Sequence, residues 1–167
     1  ALCIERIIYL NLSDTNTDKL LEDLEAEIKK SGVKGAKEVC KNTPGPVASI
    51  FLQGLERGKE GVDVVEKSII NFGSVAMSKL ESGLSWISLF IALAPMLGFM
   101  GTVIGMIEAF DAIEVAGDIS PSLVAGGIKV ALLTTVFGLI TAIILQIFYN
   151  YISAKIENIV NNMEDAS

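Results

Sequence analysis

Ala94-Pro95-Met96-Leu97-Gly98-Phe99-Met100-Gly101-Thr102-Val103-Ile104-Gly105 lies inside a run that carries no charge from Ser82 to Ile107. A helix needs about 20 apolar residues to cross a bilayer core, so this run predicts a membrane span. A second charge-free run, Val130 to Ala154, follows a connection that holds Asp111, Glu114, Asp118 and Pro121. The two runs predict an antiparallel membrane hairpin, and the rest of the chain is read outward from it.

The composition agrees with that reading. The 167 residues are 51% hydrophobic with a mean hydropathy of +0.53, too apolar for an ordinary soluble domain. Most of the charge sits between residues 11 and 82. The opening Ala1-Leu2-Cys3-Ile4 reads like the last turn of another apolar helix, so a preceding span and a chain truncated at its start are expected. The net charge of −7 argues against nucleic acid as a partner, because phosphate binding needs a concentrated Lys/Arg surface. Cys3 and Cys40 are too few for a disulfide framework or a zinc site and are read as reduced thiols. All 13 Lys and Arg residues except Lys129 and Lys155 lie between Arg6 and Lys79. By the positive-inside rule, the N-terminal region and the C-terminal tail face the cytoplasm, with the acidic connection on the far side.

Outside the spans the pattern is helical. Asn16 or Thr17 can cap a helix with apolar Leu20, Leu21, Leu24 and Ile28, which Gly32 ends. A short segment, Val33 to Cys40, precedes the breaker cluster Asn42-Thr43-Pro44-Gly45-Pro46, which places Pro46 in the first turn of a helix to Arg57. Gly58 and Gly61 close it. From Val62 the apolar positions step by three and four straight into the first span, with no strong breaker before Pro95. One unbroken helix from Asp63 to Phe110 is therefore expected, roughly 70 Å long at 1.5 Å per residue. Ser120-Pro121 starts the next helix, which passes through the second span to about Met163.

Small residues recur along both spans. Gly98, Gly101, Thr102, Gly105 and Ala109 on the first, and Gly127, Ala131, Thr134 or Thr135, Gly138 and Ala142 on the second, let helix backbones approach closely in lipid. The glycines Gly98, Gly101, Gly105, Gly127 and Gly138 are read as helix-packing residues. The same narrow, hydroxyl-bearing faces could instead line a path, and threonine alone does not decide, since it can bond its own backbone. Ionisable groups at membrane depth are few: Glu108 ends the first span and Lys129 lies near the start of the second helix. The chain has no histidine, no nucleophile with a base, and no Gly-rich phosphate loop after a strand, so enzymatic activity is not expected and no metal or cofactor is called for.

Gly98-Phe99-Met100-Gly101-Thr102-Val103-Ile104-Gly105-Met106 resembles the L-G-x-x-G-T-V-x-G signature of the MotA/TolQ/ExbB proton channel family. Ala125-Gly126-Gly127-Ile128-Lys129-Val130-Ala131-Leu132-Leu133-Thr134-Thr135-Val136-Phe137-Gly138-Leu139 is similar to the final span of its ExbB and TolQ branches, and the ExbB branch is the nearest. The resemblance implies a homo-oligomer, usually a pentamer, around single-span ExbD- or TolR-like partners that carry a membrane aspartate, with a TonB-like protein as a possible further partner. It implies a stator that couples the proton motive force to mechanical work in the bacterial cytoplasmic (inner) membrane, as a multi-pass protein. A TolQ- or MotA-like role in envelope maintenance or motility is the alternative within the family, and a non-conducting scaffold the alternative outside it. By motif position Thr102 and Thr135 match the family's pore threonines, with Thr134 an extra hydroxyl beside them. Val130 stands where the family often has glutamate, with Lys129 one position earlier.

The expected architecture is an all-α membrane protein whose long transmembrane helices extend into a helical cytoplasmic domain. Residues 1–10 would end a first span, 11–82 form the helical cytoplasmic region, and 83–110 a transmembrane helix. Residues 111–120 would form the periplasmic connection, 121–152 the second transmembrane helix, and 153–167 a cytoplasmic helical tail.

Overall fold

The computed structural model describes residues 1–118 and 120–165, the side chain of Leu123 apart. Ile119 of the predicted connection and residues 166–167 of the predicted tail lie outside the described residues. Every regular element among the described residues is helical: α1 (Leu2–Ser13), α2 (Thr17–Asn42), α3 (Pro46–Arg57), α4 (Val62–Leu80), α5 (Leu84–Ala116) and α6 (Pro121–Asp165). They fall into two compact units, one holding Ala1–Gly83 with the end of the chain from Tyr151, the other Leu84–Asn150.

The first unit is a helical bundle built on ordinary start and stop chemistry. Asn16 caps α2, its side chain accepting from the Lys19 amide at 3.1 Å, a bond of the kind worth about 1 kcal/mol. Gly32, with φ 67° and ψ −159°, kinks α2 where the sequence places a stop. Thr43 closes it, its hydroxyl donating to the Val39 carbonyl at 2.9 Å. Gly45 precedes Pro46 with φ 118°, and a Cβ there would lie 2.6 Å from the Ser13 carbonyl oxygen, so only glycine lets the two turns meet. The Thr15 hydroxyl donates to the Pro44 carbonyl across the same junction. Leu10, Leu20, Leu24, Ala36, Val47, Ile50 and Leu80 fill the core, joined from α6 by Ile152, Ile156, Ile159 and Met163 at helical spacing. Lys155 pairs with Asp14 at 3.1 Å and ties the tail to the turn between α1 and α2.

Cys40 is 3% exposed in this core, and burial pushes its thiol up from the ordinary range. Because the folded state then resists forming the thiolate, the fold keeps this contribution below the ordinary thiol range and loses stability as pH rises through it. In native membranes a maleimide at pH 7 is expected to label Cys3 first and to reach Cys40 only after denaturation. Equal labelling rates for the two, followed by mass spectrometry, would show this core to be open.

The expected unbroken helix from Asp63 to Phe110 does not occur. Leu80 ends α4, the Glu81 and Ser82 amides bond back to Met77 and Lys79, and Gly83 takes φ 85° before α5 begins. This is a glycine-terminated helix end of the ordinary kind. The apolar spacing runs on across it, which hides the break in the sequence. Pro95 lies inside α5 without ending it; in a membrane, neighbouring groups can satisfy the backbone carbonyl that proline leaves free. α5 also carries Asp111 and Glu114 within the helix, and the chain leaves it at Gly117, with φ 67°.

The second unit is a hairpin of α5 and the first two thirds of α6. At 33 and 45 residues these helices are about 50 and 68 Å long, against a bilayer core of about 30 Å. Only 11% of the most apolar 18-residue stretch in each is buried within the chain. Met96, Phe99, Leu132, Phe137 and Ile147 are each more than 59% exposed. An apolar surface of that extent needs lipid or another helix against it.

Candidate functional site

The contact between α5 and α6 is made by small residues whose order runs opposite ways on the two helices. A Cβ placed on Gly98 would lie 3.0 Å from the Thr134 carbonyl oxygen and 3.1 Å from Thr135 Cα. On Gly101 it would collide with the Thr134 side chain, and on Gly105 it would lie 2.7 Å from the Gly127 carbonyl oxygen. On Gly127 it would lie 2.5 Å from the Gly105 carbonyl oxygen and 2.8 Å from Ala109 Cβ, and on Gly138 2.6 Å from the Ala94 carbonyl oxygen. Each of these five glycines therefore stands where one backbone touches the other helix. With no hydrophobic gain available between apolar helices in lipid, such close approach supplies the van der Waals contact that holds the hairpin.

Polar groups enter this seam at one level. The Thr134 hydroxyl donates to the Ala131 carbonyl at 2.8 Å and approaches the Gly98 carbonyl of the opposite helix at 3.4 Å. Thr135 approaches the same two carbonyls, each at 3.4 Å. Both threonines are half-buried. Thr102 is also half-buried, but its hydroxyl donates to Phe99 of its own helix at 2.6 Å. The structure thus brings Thr134 and Thr135 together around Gly98 and places Thr102 one turn further along α5, with no hydrogen bond to either. Thr141, one turn beyond Gly138, bonds its own helix through Phe137 at 2.8 Å.

Chemically, a threonine whose proton is committed to a carbonyl still offers oxygen lone pairs, and the hydroxyl can rotate. A cluster of this type can accept from a protonated carboxylic acid or donate to a carboxylate. The hairpin itself contributes no acid at that level: its acids are Glu108, Asp111, Glu114 and Asp118, toward the connection, and its one cation is Lys129. Lys129 and Val130 are exposed, on the part of α6 leading into the charge-free run. Among the described residues no group of three or more His, Cys, Asp or Glu side chains is placed to hold a metal ion. The approach of both hydroxyls to the Gly98 carbonyl of the other helix could not be found from the sequence, because spacing gives the face of each helix and not the register between them.

Two long apolar helices packed through glycine, with every regular element among the described residues helical, define an all-α membrane protein. The description of the MotA/TolQ/ExbB proton channel family fits residues 42–165, and the chain belongs to that family. It is similar to a biopolymer transport protein ExbB homolog of Methanothermobacter thermautotrophicus, with 35% identity over 162 residues, covering 96% of this chain and 57% of that protein. It is 30% identical over 156 residues to the ExbB-like 3 biopolymer transport protein of Synechocystis sp., covering 90% and 72%. With the Tol-Pal system protein TolQ of Pseudomonas aeruginosa it shares 32% identity over 125 residues, 68% of this chain and 54% of that one.

Proposed function

We propose that this chain is the proton-channel, or stator, subunit of an energy-transducing complex in the cytoplasmic membrane. It would act as a homo-oligomer, in the family's manner a pentamer, around a single-span ExbD- or TolR-like protein, with a TonB-like protein as the element driven. Residues 83–110 and 121–152 would cross the membrane, with residues 11–82 and the tail in the cytoplasm. The observation that carries the reading is the hydroxyl cluster of Thr134 and Thr135 at the Gly98 carbonyl, inside two charge-free runs that hold no carboxylate of their own. Proton movement through hydrocarbon needs a titratable group or a water chain, and a bare charge there is costly. The titrating acid therefore comes from the partner, and Thr102, Thr134 and Thr135 face it as pore-lining hydroxyls. Similarity to ExbB homologues along nearly the whole chain favours the TonB type over the TolQ and MotA types.

The partner requirement is directly testable. The full-length protein, co-expressed with the product of a neighbouring gene that encodes one span bearing an aspartate, is expected to co-purify with it in mild detergent at fixed stoichiometry. Purification of a stable oligomer that leaves every such protein behind would contradict the reading.

A further inference from the structure

Glu108 and Lys129 are the charged residues that border the two charge-free runs at the ends nearer the connection, and neither has an ion-pair partner among the described residues. They share a depth in the hairpin. Gly127 packs against Gly105 and Ala109, which sets it level with Ile107; Glu108 lies one residue to the connection side of that level and Lys129 two residues to the other, so the two are about 4.5 Å apart along the axis. They do not share a side. Gly127 and Ala131 face α5, and at 3.6 residues per turn Lys129 lies about 160–200° round α6 from them. With a helix of about 10–12 Å diameter between them, the ammonium is turned away from the Glu108 of its own chain. Lys129 instead stands on an open, apolar face of α6 formed by Val124, Ile128, Leu132, Leu133 and Val136. Glu108 is likewise exposed on α5.

We propose that this face of α6 receives the Glu108 edge of α5 from a second copy of the chain, with Glu108 and Lys129 paired across the contact. Charge complementarity selects the occupant. The face presents the hairpin's one cation among apolar side chains, and the anion nearest to it in depth stands on the other helix of the same chain. Charged groups at or near membrane depth are costly unless paired, so the contact satisfies both at once. It joins two different surfaces and is therefore head-to-tail, the kind of contact that closes into a ring when its rotation permits. The inference rests on the homo-oligomeric reading above and adds to it which faces meet and which pair fixes their register. An anionic lipid headgroup is the competing anion for Lys129, and it would leave Glu108 without a role.

The test uses the full-length protein, extracted from its membrane in mild detergent and weighed by native mass spectrometry, with helix content checked by circular dichroism. Glu108→Lys and Lys129→Glu should each lose the oligomer, and the double variant E108K/K129E should restore it. In a Cys3→Ser, Cys40→Ser background, Glu108→Cys and Lys129→Cys together should give a ladder of cross-linked multimers under a thiol oxidant in the membrane. Neither cysteine alone should do so. Because the cysteine pair introduces small neutral side chains, it decides the matter if a charge-reversed variant fails to fold. An oligomer that survives both single reversals and gives no ladder would overturn the pairing while leaving the homo-oligomer intact. A wild-type monomer would instead remove the oligomeric reading, and the pairing with it. Loss of bound anionic phospholipid in Lys129→Glu but not in Glu108→Lys, with the oligomer unchanged, would assign this face of α6 to lipid and overturn the proposal.

Discussion

Gly127→Leu is expected to separate α5 from α6 and to abolish assembly, whereas the neighbouring Gly126→Ala should leave both untouched. Even a single Cβ on Gly127 meets the Gly105 carbonyl oxygen at 2.5 Å and Ala109 Cβ at 2.8 Å, while a Cβ on Gly126 meets nothing within 4 Å. Overpacking a close contact costs about 1–3 kcal/mol when side chains can adjust. Here the obstructing atoms are a backbone carbonyl and a methyl with no rotamer to change, so the cost for leucine lies at or above the top of that range. Gly126→Ala should instead gain up to about 1 kcal/mol of helix propensity. The measurement is the midpoint of SDS-induced loss of helicity for each variant in detergent. Similar midpoints for the two would mean that the glycine seam does not hold the hairpin.

Thr102→Val and Thr135→Val are expected to leave assembly intact and to lower gradient-driven activity sharply. Valine keeps the shape of threonine and removes only the hydroxyl. For Thr102 the bond lost is to Phe99 of its own helix, and for Thr135 the bonds lost are two long ones of 3.4 Å, so the fold loses little. A hydrogen bond to a charged group contributes about 1.5–3 kcal/mol, which corresponds to roughly ten- to hundredfold in rate if it is made at the transition state for proton transfer. The scaffold reading has an observation in its favour, since the Thr134 hydroxyl is satisfied by the Ala131 carbonyl at 2.8 Å. A non-conducting scaffold carries no proton flux for either variant to lose, so flux per partner-bound oligomer, compared between the unsubstituted chain and both variants, separates the two.

Much of the architecture is legible in the sequence for identifiable reasons. The two long apolar helices follow from the missing charges between Ser82 and Ile107 and between Val130 and Ala154. The start of α2 follows from Asn16, its kink from Gly32, and the starts of α3 and α6 from Pro46 and Pro121. The break at Gly83 is hidden because the apolar stripe from Val62 continues in phase across it, and a single glycine after Glu81-Ser82 is a weaker signal than that periodicity. The site is legible only as faces. Gly98, Gly101 and Gly105 mark one side of α5, and Gly127, Thr134 and Gly138 one side of α6. That Gly98 meets Thr134 and Thr135, while Thr102 bonds within its own helix, depends on the register between two helices, which small-residue spacing leaves free by whole turns.

Division of labour between this chain and an acid-bearing partner is the central claim, and proton uptake into liposomes under an imposed potential tests it most directly. The full-length oligomer alone should leak little, because a charge at the bilayer centre costs at least about 2.5 kcal/mol and the hairpin offers hydroxyls but no acid there. Uptake should appear when the single-span partner is co-reconstituted and vanish when its membrane aspartate is replaced by asparagine. Uptake by this chain alone at the partner-containing rate would contradict the account and place the proton carrier within this sequence.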